Sequence, residues 1–436
     1  MLNLLPRDQW KYHVSDICRA LAAVFASRSQ RELLFLPELG HCIPVRSGRA
    51  ALLTAIKALN LPSGARIGVP LYCCPVVFRA IELAGCVARF IDVDDITFCM
   101  SAKDLTAKHS ELDAVIAVHM FGNMCDMPRL QAAASDIPFI EDCAQSLGSE
   151  LAGRMAGSFG TISIFSFRSG KYLSVGEGGA LFSNDADARS KAAEFIAGLP
   201  APTFVEEVRH IVKTYVKSLL RSKPLYGLIG YRLWEALNRK LNLSARSDVM
   251  LGKIYKADLA LTKSRLPLLN AAIEAHRANA DSYSQNLILG SGMLSSEPSE
   301  FFYNRLQYPV TFPSRQCRDA IAAYLLEHGI DTIKYLDDIV EIATRAYGYT
   351  ATCPVSEQLS KRVLIIPNYH GLRQRDIQHI TECLNTKWAE VSGNGYGTPA
   401  IMCAPGTEDA RGNVSYKGQV LAPVARGRDV EASEVR

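Results

Sequence analysis

From residue 43 onwards the chain alternates between two hydrophobic periods, and that alternation narrows its possible folds more than any other feature. "SGRAALLTAIKALNL" is an amphipathic helix pattern ended by "PSG", and "ARIGVP" is a short apolar run. "CPVVFRAIELAG" reads as a helix and "VARFIDVD" and "LDAVIAVHMFG" as strands. "MPRLQAAASD" reads as a helix, and "IPFIEDC", "GTISIFSF" and "GGALFSN" as further strands. Strands alternating with helices favour a parallel sheet covered on both faces, an α/β fold. Such sheets bind ligands beyond the C-terminal ends of their strands.

The flanking regions have other textures. "SDICRALAAVFAS" predicts a helix capped by Ser15, within an N-terminal helical segment, residues 1–42. The large α/β domain is expected over 43–200, followed by a basic helical insertion over 201–255. Residues 256–288 predict a long helix interrupted at Pro267. "FFYNRLQYPVTF" (strands), "RQCRDAIAAYLLEHG" (helix) and "VLIIPNYHGLRQRDIQHITECLN" then predict a smaller C-terminal α/β domain, so that 256–388 forms one unit. Residues 389–436 turn Gly-, Pro- and charge-rich without a period and are expected to be a flexible tail.

Composition excludes several classes. With 436 residues the chain suits one large and one smaller lobe. A net charge of +4, without any aromatic-basic repeat, implies no general nucleic-acid partner. Twelve cysteines are scattered with no C-x-x-C pair, which argues against a structural zinc site and against a secreted disulfide framework. No metal site is expected. The N-terminus reaches charges too early for a signal peptide, and no apolar run is long enough to span a bilayer. The expectation is a cytoplasmic enzyme.

"FSFRSGKYLSVGEGG", Phe165 to Gly179, sets the chemical question. A Gly-Lys pair suggests a phosphate loop, but Phe165 stands where its first glycine belongs and Tyr172 where its Ser or Thr belongs. The dinucleotide fingerprint fails as well, since Leu181 replaces the third glycine of "GEGGAL". Three other features fit one cofactor together. "SGRAA" opens a helix, whose N–H groups and dipole make an anion site. "IEDCAQS" places Asp142 at a strand end, and "FSFRSGK" places Ser166 at another with Lys171 just beyond it. An anion cradle, a carboxylate and a lysine are the parts needed to hold pyridoxal phosphate: phosphate at the helix start, Lys171 joined to the aldehyde, and Asp142 keeping the ring nitrogen protonated. Taken singly, each feature is more often bland: a cap, a strand-end turn, a solvated loop lysine. Their order and spacing lift them. His119, at a strand end, is more often structural than catalytic; His370, in "PNYHGL", is a weaker candidate for touching substrate. Arg168 reads first as a solvated charge.

The blocks "SGRAALLTAIKAL", "VPLYCCPVVFRAIELAG", "FIDVD", "VIAVHMFGNMCDM", "IEDCAQSLGS", "GSFGTISIFSFRSGKYLSVGEGGALFSND" and "CPVSEQLSKRVLIIPNYHGL" resemble the DegT/StrS sugar aminotransferases, pyridoxal phosphate enzymes of fold type I. The resemblance covers about 43–387, with a gap near 200–255. It implies that Lys171 holds the cofactor covalently and later shuttles a proton, and that Asp142 pairs with the ring nitrogen. Gln145 would bond the ring's 3-oxygen, and Ser166 with Arg49 and Ala50 would hold the phosphate. It also implies a homodimer that transfers an amino group, with glutamate as the expected donor, to a keto carbon of a nucleotide-linked sugar for surface polysaccharide or related glycans. Rival readings are a different keto substrate on the same fold, or a cofactor-binding regulator without turnover. A dehydrating branch of the family has histidine in place of the lysine, so Lys171 favours amino transfer. Three features depart from the family pattern. Arg49 stands where threonine is usual and Cys74 where a ring often stacks on the cofactor, and the Gly-x-Asn segment that reaches the partner subunit is not found.

"RHIVKTYVKSLLRSKPLYGLIGYRLWEALNRKLNL", Arg209 to Leu243, carries eight Lys and Arg against one acid. A basic amphipathic pair of helices fits peripheral contact with an anionic membrane surface at the inner face. The alternative is that its apolar faces pack on the enzyme or its dimer partner.

Overall fold

The computed structural model describes residues 3–26, 33–36, 38–241, 249–290 and 292–393, with side chains to 236 in the second helical stretch, and two short strands at 407–408 and 414–415. The last two pair antiparallel in a separate unit that begins at Thr398. Most of the expected tail lies outside the described residues. The helix Gln374–Val391 runs on past the expected start of that tail.

Eight strands form the main sheet in the order Leu34–Leu36, Gly40–Val45, Gly179–Phe182, Ile162–Ser166, Phe139–Asp142, Ala114–Val118, Arg66–Pro70, Val87–Ile91. The five from Ile162–Ser166 to Val87–Ile91 are parallel, as their alternation with helices predicts. The other three join antiparallel at one side. Burial explains the sequence texture: Ala114–Val118 and Phe139–Asp142 are buried at every position, because helices cover both faces. The chain leaves Arg66–Pro70 to one side for Val87–Ile91 and returns on its other side to Ala114–Val118. This is the topological switch at which open α/β sheets build ligand clefts.

Several elements differ from expectation. The first helix is Val14–Phe25, and its opening N–H is met by Asp16, whose carboxylate accepts from His13 N–H at 2.8 Å. Ser15 therefore lies inside the first turn and is not the cap. The strands Leu34–Leu36 and Gly40–Val45 were not foreseen, and the second crosses the expected 42/43 boundary. Their sequence is short and contains proline, so pairing makes them strands: Gly40–Val45 pairs with Gly179–Phe182, and Leu34–Leu36 pairs with Gly40–Val45.

Within 201–255 lie the helix Phe204–Leu220, a wide turn Tyr226–Gly230 and the helix Tyr231–Leu241; residues 242–248 are outside the described set. The long helix is broken around Pro267 into Lys256–Arg265, a tight turn Leu266–Leu268 and Leu269–Asn286. Beyond it an antiparallel sheet, Tyr308–Thr311, Val363–Ile366 and Ile333–Lys334, carries its own apolar core.

One carboxylate ties the small lobe to the large sheet. Asp92, just after Val87–Ile91, accepts from the N–H groups of Val355 and Ser356 at 3.0 and 2.8 Å and from the Ser356 hydroxyl at 2.7 Å. It thereby caps the helix Pro354–Arg362, whose own N-cap, Cys353, makes no such bond. Asp92→Ala leaves these buried donors without partners and is expected to cost about 2–3 kcal/mol. Urea unfolding measures the loss, and Asp92→Asn should recover part of it.

Candidate active site

The site forms where the helix Gly48–Ala58 begins against the ends of two strands. Ser47 caps the helix, its hydroxyl accepting from Ala50 N–H at 3.2 Å. A Cβ on Gly48 would lie 2.6 Å from Ser166 Cβ, and one on Gly179 would lie 2.6 Å from Gly48 N. No side chain fits at either position, so the helix start sits directly on the strand ends, with the Ser166 hydroxyl beside it. The Ala50 N–H is occupied by the cap. Gly48 and Arg49 carry the first N–H groups of the helix, which have no carbonyl one turn back within it. The Arg49 side chain is half-buried beside them.

Asp142 ends the strand Phe139–Asp142 and is buried. One carboxylate oxygen accepts from Ala144 N–H at 3.0 Å. Burial pushes its carboxyl up from the ordinary value; the Ala144 N–H and the charge of Lys171 pull the other way. His119 ends the neighbouring strand and is committed to structure. Its Nδ1 accepts from Cys125 N–H at 3.0 Å, which leaves the proton on Nε2, 3.1 Å from Glu141. Glu141 also accepts from the N–H groups of Gly157, Phe159 and Gly160. Among the described residues His119, Glu141 and Cys143 bring metal-ligand atom types within 4.8 Å of one another, but these hydrogen bonds already satisfy the histidine and the carboxylate.

Lys171 lies in a tight loop between Ile162–Ser166 and Gly179–Phe182. Phe167 N–H donates to Gly178, Val175 N–H to Phe167, and Lys171 N–H to Arg168. The Ser174 hydroxyl bonds the Lys171 carbonyl, and Ser174 takes a positive φ of 43°. Two further contacts clamp the loop from outside. Asp258 accepts from Glu177 N–H at 3.1 Å and from His210 Nε2 at 2.8 Å. A Cβ on Gly176, whose φ is 129°, would come within 2.8 Å of His210 Nε2. His210 in turn stacks on Tyr255 at 4.0 Å, and Arg46 covers that ring at 4.1 Å. This clamp was not foreseen, because its parts are scattered over more than 200 residues.

The lysine is half-buried, and its pKa is lowered to about 8, first by removal from water and then by Arg168; Asp142 and Cys74 oppose the shift. These same groups, Asp142, Cys74 and Arg168, therefore surround one amine. Gln145 is buried close by. Its Oε1 accepts from Phe121 N–H at 3.1 Å and its Nε2 donates to the Tyr335 hydroxyl at 3.2 Å. Tyr72 has no open face: it is fully buried against Phe98, Phe121 and Tyr335, so it does not supply the ring that Cys74 lacks. Tyr335, half-buried and in the field of Cys74 and Arg168, is the aromatic residue that borders the site. It comes from the small lobe, and nothing in "IKYLDD" marked it. His370 is exposed and lines a cavity of about 630 Å³, together with Lys171, Gln307 and Asn368.

The site thus holds an anion cradle of helix N–H groups beside the Ser166 hydroxyl, a buried carboxylate and an amine with a lowered pKa. These fit a group that bears a phosphate, a basic ring nitrogen and an aldehyde. Fold and site together define a pyridoxal phosphate enzyme of fold type I. The chain belongs to the DegT/DnrJ/EryC1/StrS aminotransferase family, whose model matches residues 31–208 and 246–385. It is 27% identical over 358 residues to the UDP-N-acetyl-3-dehydro-alpha-D-glucosamine 3-aminotransferase of Acidithiobacillus ferrooxidans, covering 80% of this chain and 85% of that one. It is 30% identical to the GDP-perosamine synthase of Vibrio cholerae, over 83% of this chain and 90% of the relative. In fold it is similar to the sugar aminotransferase CalS13 from Micromonospora echinospora, with a TM-score of 0.68, 21% identity, and coverage of 88% and 100%.

Two predictions follow from the electrostatics. In the cofactor-free protein Lys171 should acetylate with a midpoint near pH 8, where about half of it is free amine, against about 1 in 300 for an ordinary lysine. Arg168→Gln should move that midpoint upward; competitive labelling with peptide mapping reads both. Because its pKa is raised on folding, the Asp142 carboxylate costs stability once pH rises through the folded value. Asp142→Asn should therefore raise the melting temperature of the cofactor-free protein at neutral pH, while slowing amino transfer by about 10²–10³-fold.

Proposed function

We propose that this enzyme transfers an amino group, with glutamate as donor, to a keto carbon on a nucleotide-linked sugar for surface polysaccharide or a related glycan. In this reading it works in the cytoplasm as a homodimer, and the basic region 209–243 brings it to the inner face of the membrane. The observation that carries the reaction is Lys171, an amine of lowered pKa beside a buried carboxylate. The substrate class is supported by the two relatives that the chain matches over most of its length, whose names specify a UDP-linked and a GDP-linked sugar.

Each residue has a physical role in this reading. The Gly48 and Arg49 N–H groups and the Ser166 hydroxyl hold the phosphate, with the helix dipole behind them. Ala50 contributes by keeping the capped helix start in place. The Arg49 guanidinium adds a positive charge where the family usually has threonine. Asp142 would pair with the ring nitrogen and favour its protonated form. Gln145 is held between Phe121 and Tyr335 and would bond the 3-oxygen. When bound, pyridoxal phosphate supplies the electron sink that lets the carbon bearing the amino group lose a proton. Lys171 Nζ accepts that proton and returns it one position away. A positioned base of this kind contributes about 10²–10⁴-fold.

The test supplies the purified chain with pyridoxal phosphate, glutamate labelled with heavy nitrogen, and UDP- and GDP-linked keto sugars. The expected outcome is a labelled amino sugar by mass spectrometry, lost in Lys171→Ala. A parallel assay supplies nucleotide-free keto sugars, and label appearing only in the amine formed from one of these would overturn the substrate class. Light scattering in the same buffer should give twice the chain mass.

A further inference from the structure

The helix Phe204–Leu220 is built inside out. Its buried residues are Glu207, His210, Ile211, Thr214 and Ser218, four of them polar. The inward polar groups have structural work: Glu207 accepts from Lys256 N–H at 2.7 Å, His210 bonds Asp258, and Ser218 accepts from Tyr12 N–H at 2.9 Å. Outward, Val205, Val212, Val216 and Leu219 are 71, 55, 45 and 39% exposed. They recur at spacings of seven, four and three residues, which in an α-helix makes one stripe along the side opposite the buried set. Leu228, Ile229 and Leu233, just beyond, are exposed as well.

The stripe has a cationic edge. Arg209, Lys213, Lys217 and Arg232 are all exposed. Lys217 is held below the ordinary lysine value by burial of its stem and then by repulsion from Lys213. The one acid along this edge of the helix, Glu206, is engaged in the cap, accepting from Thr203 N–H at 2.7 Å and from its hydroxyl. Most of this surface also falls between the two segments matched by the family model, 31–208 and 246–385.

We propose that this face docks the enzyme on a membrane surface rich in anionic lipid, with the valine stripe in the headgroup region and the basic edge beside lipid phosphates. Apolar side chains flanked by Lys and Arg are what such a surface takes up. A second copy of the chain fits less well, because a two-fold pairing of the stripes sets Lys213 and Lys217 near their own mates. No helix among the described residues is long and apolar enough to cross a membrane, so the contact is peripheral. The inference deepens the membrane side of the proposed function and is independent of its substrate.

Co-sedimentation of the full chain with phosphatidylglycerol–phosphatidylcholine vesicles tests it. Binding is expected at low salt, weakened at about 0.5 M salt and absent with phosphatidylcholine alone. Lys213→Gln with Lys217→Gln should weaken binding about 25-fold, at about fivefold per charge. Val212→Ser with Val216→Ser should weaken it about tenfold or more. Amino transfer in solution should be unchanged in both variants, which separates failure of docking from failure of the catalytic reading. No binding to anionic vesicles at low salt, equal binding to neutral ones, or binding unaffected by both double variants would overturn the proposal. So would a Val212→Asp chain that turns from dimer to monomer, since the stripe would then be a subunit interface.

Discussion

The site depends on a contact that only glycine allows. Gly48 opens its helix against Ser166, and Gly179 passes under the same helix start; a methyl group at either would meet heavy atoms 2.6 Å away. That closeness brings the end of a helix dipole onto the ends of two strands. It gives an anion site at the C-terminal edge of the sheet that is built first from backbone N–H groups. Asp142 ends the strand next to this seat, and Lys171 lies in the loop that joins the seat's own two strands.

Around the seat the protein accepts local costs. Asp142 and Lys171 both have pKa values moved against their charged forms, with burial the first cause in each. Groups that would rather be neutral are poised to exchange protons and to bind a cofactor that restores their partners. Satisfied groups nearby hold the geometry. Glu141 takes N–H groups from three residues of the loop 157–160 and one from His119, so the strand bearing Asp142 does not shift. Asp258 and His210 fix the turn that follows Lys171.

That second clamp links the region 201–255 to the Lys171 loop. His210 belongs to the helix Phe204–Leu220, whose polar residues face inward to serve the Lys171 loop and the cap of Lys256–Arg265. Its outward side carries Val205, Val212, Val216 and Leu219 beside the exposed Arg209, Lys213 and Lys217. One element thus both steadies the catalytic loop and presents a surface.

The parallel sheet, Asp142, Ser166 and Lys171 were legible in the sequence because each depends on local order. Apolar runs with helices between them force parallel pairing, and residues just after such runs must lie at strand ends. The break at Pro267 was legible for the same reason, since proline lacks the N–H that a helix requires. The short strand Gly40–Val45 was not, because the strand that draws it into the sheet lies more than 130 residues away, and Leu34–Leu36 pairs only onto Gly40–Val45. The basic region read as two amphipathic helices, but periodicity does not say which face turns inward. Hydrogen bonds from His210, Glu207 and Ser218 to distant residues decided that. Tyr335 and the clamp on Gly176 came only with the tertiary structure, for they join residues that share no local pattern. The sequence by itself determined the order of elements and the place of Lys171 just beyond a strand end. Long-range packing decided which groups lose their water, and that sets the charge state of the lysine.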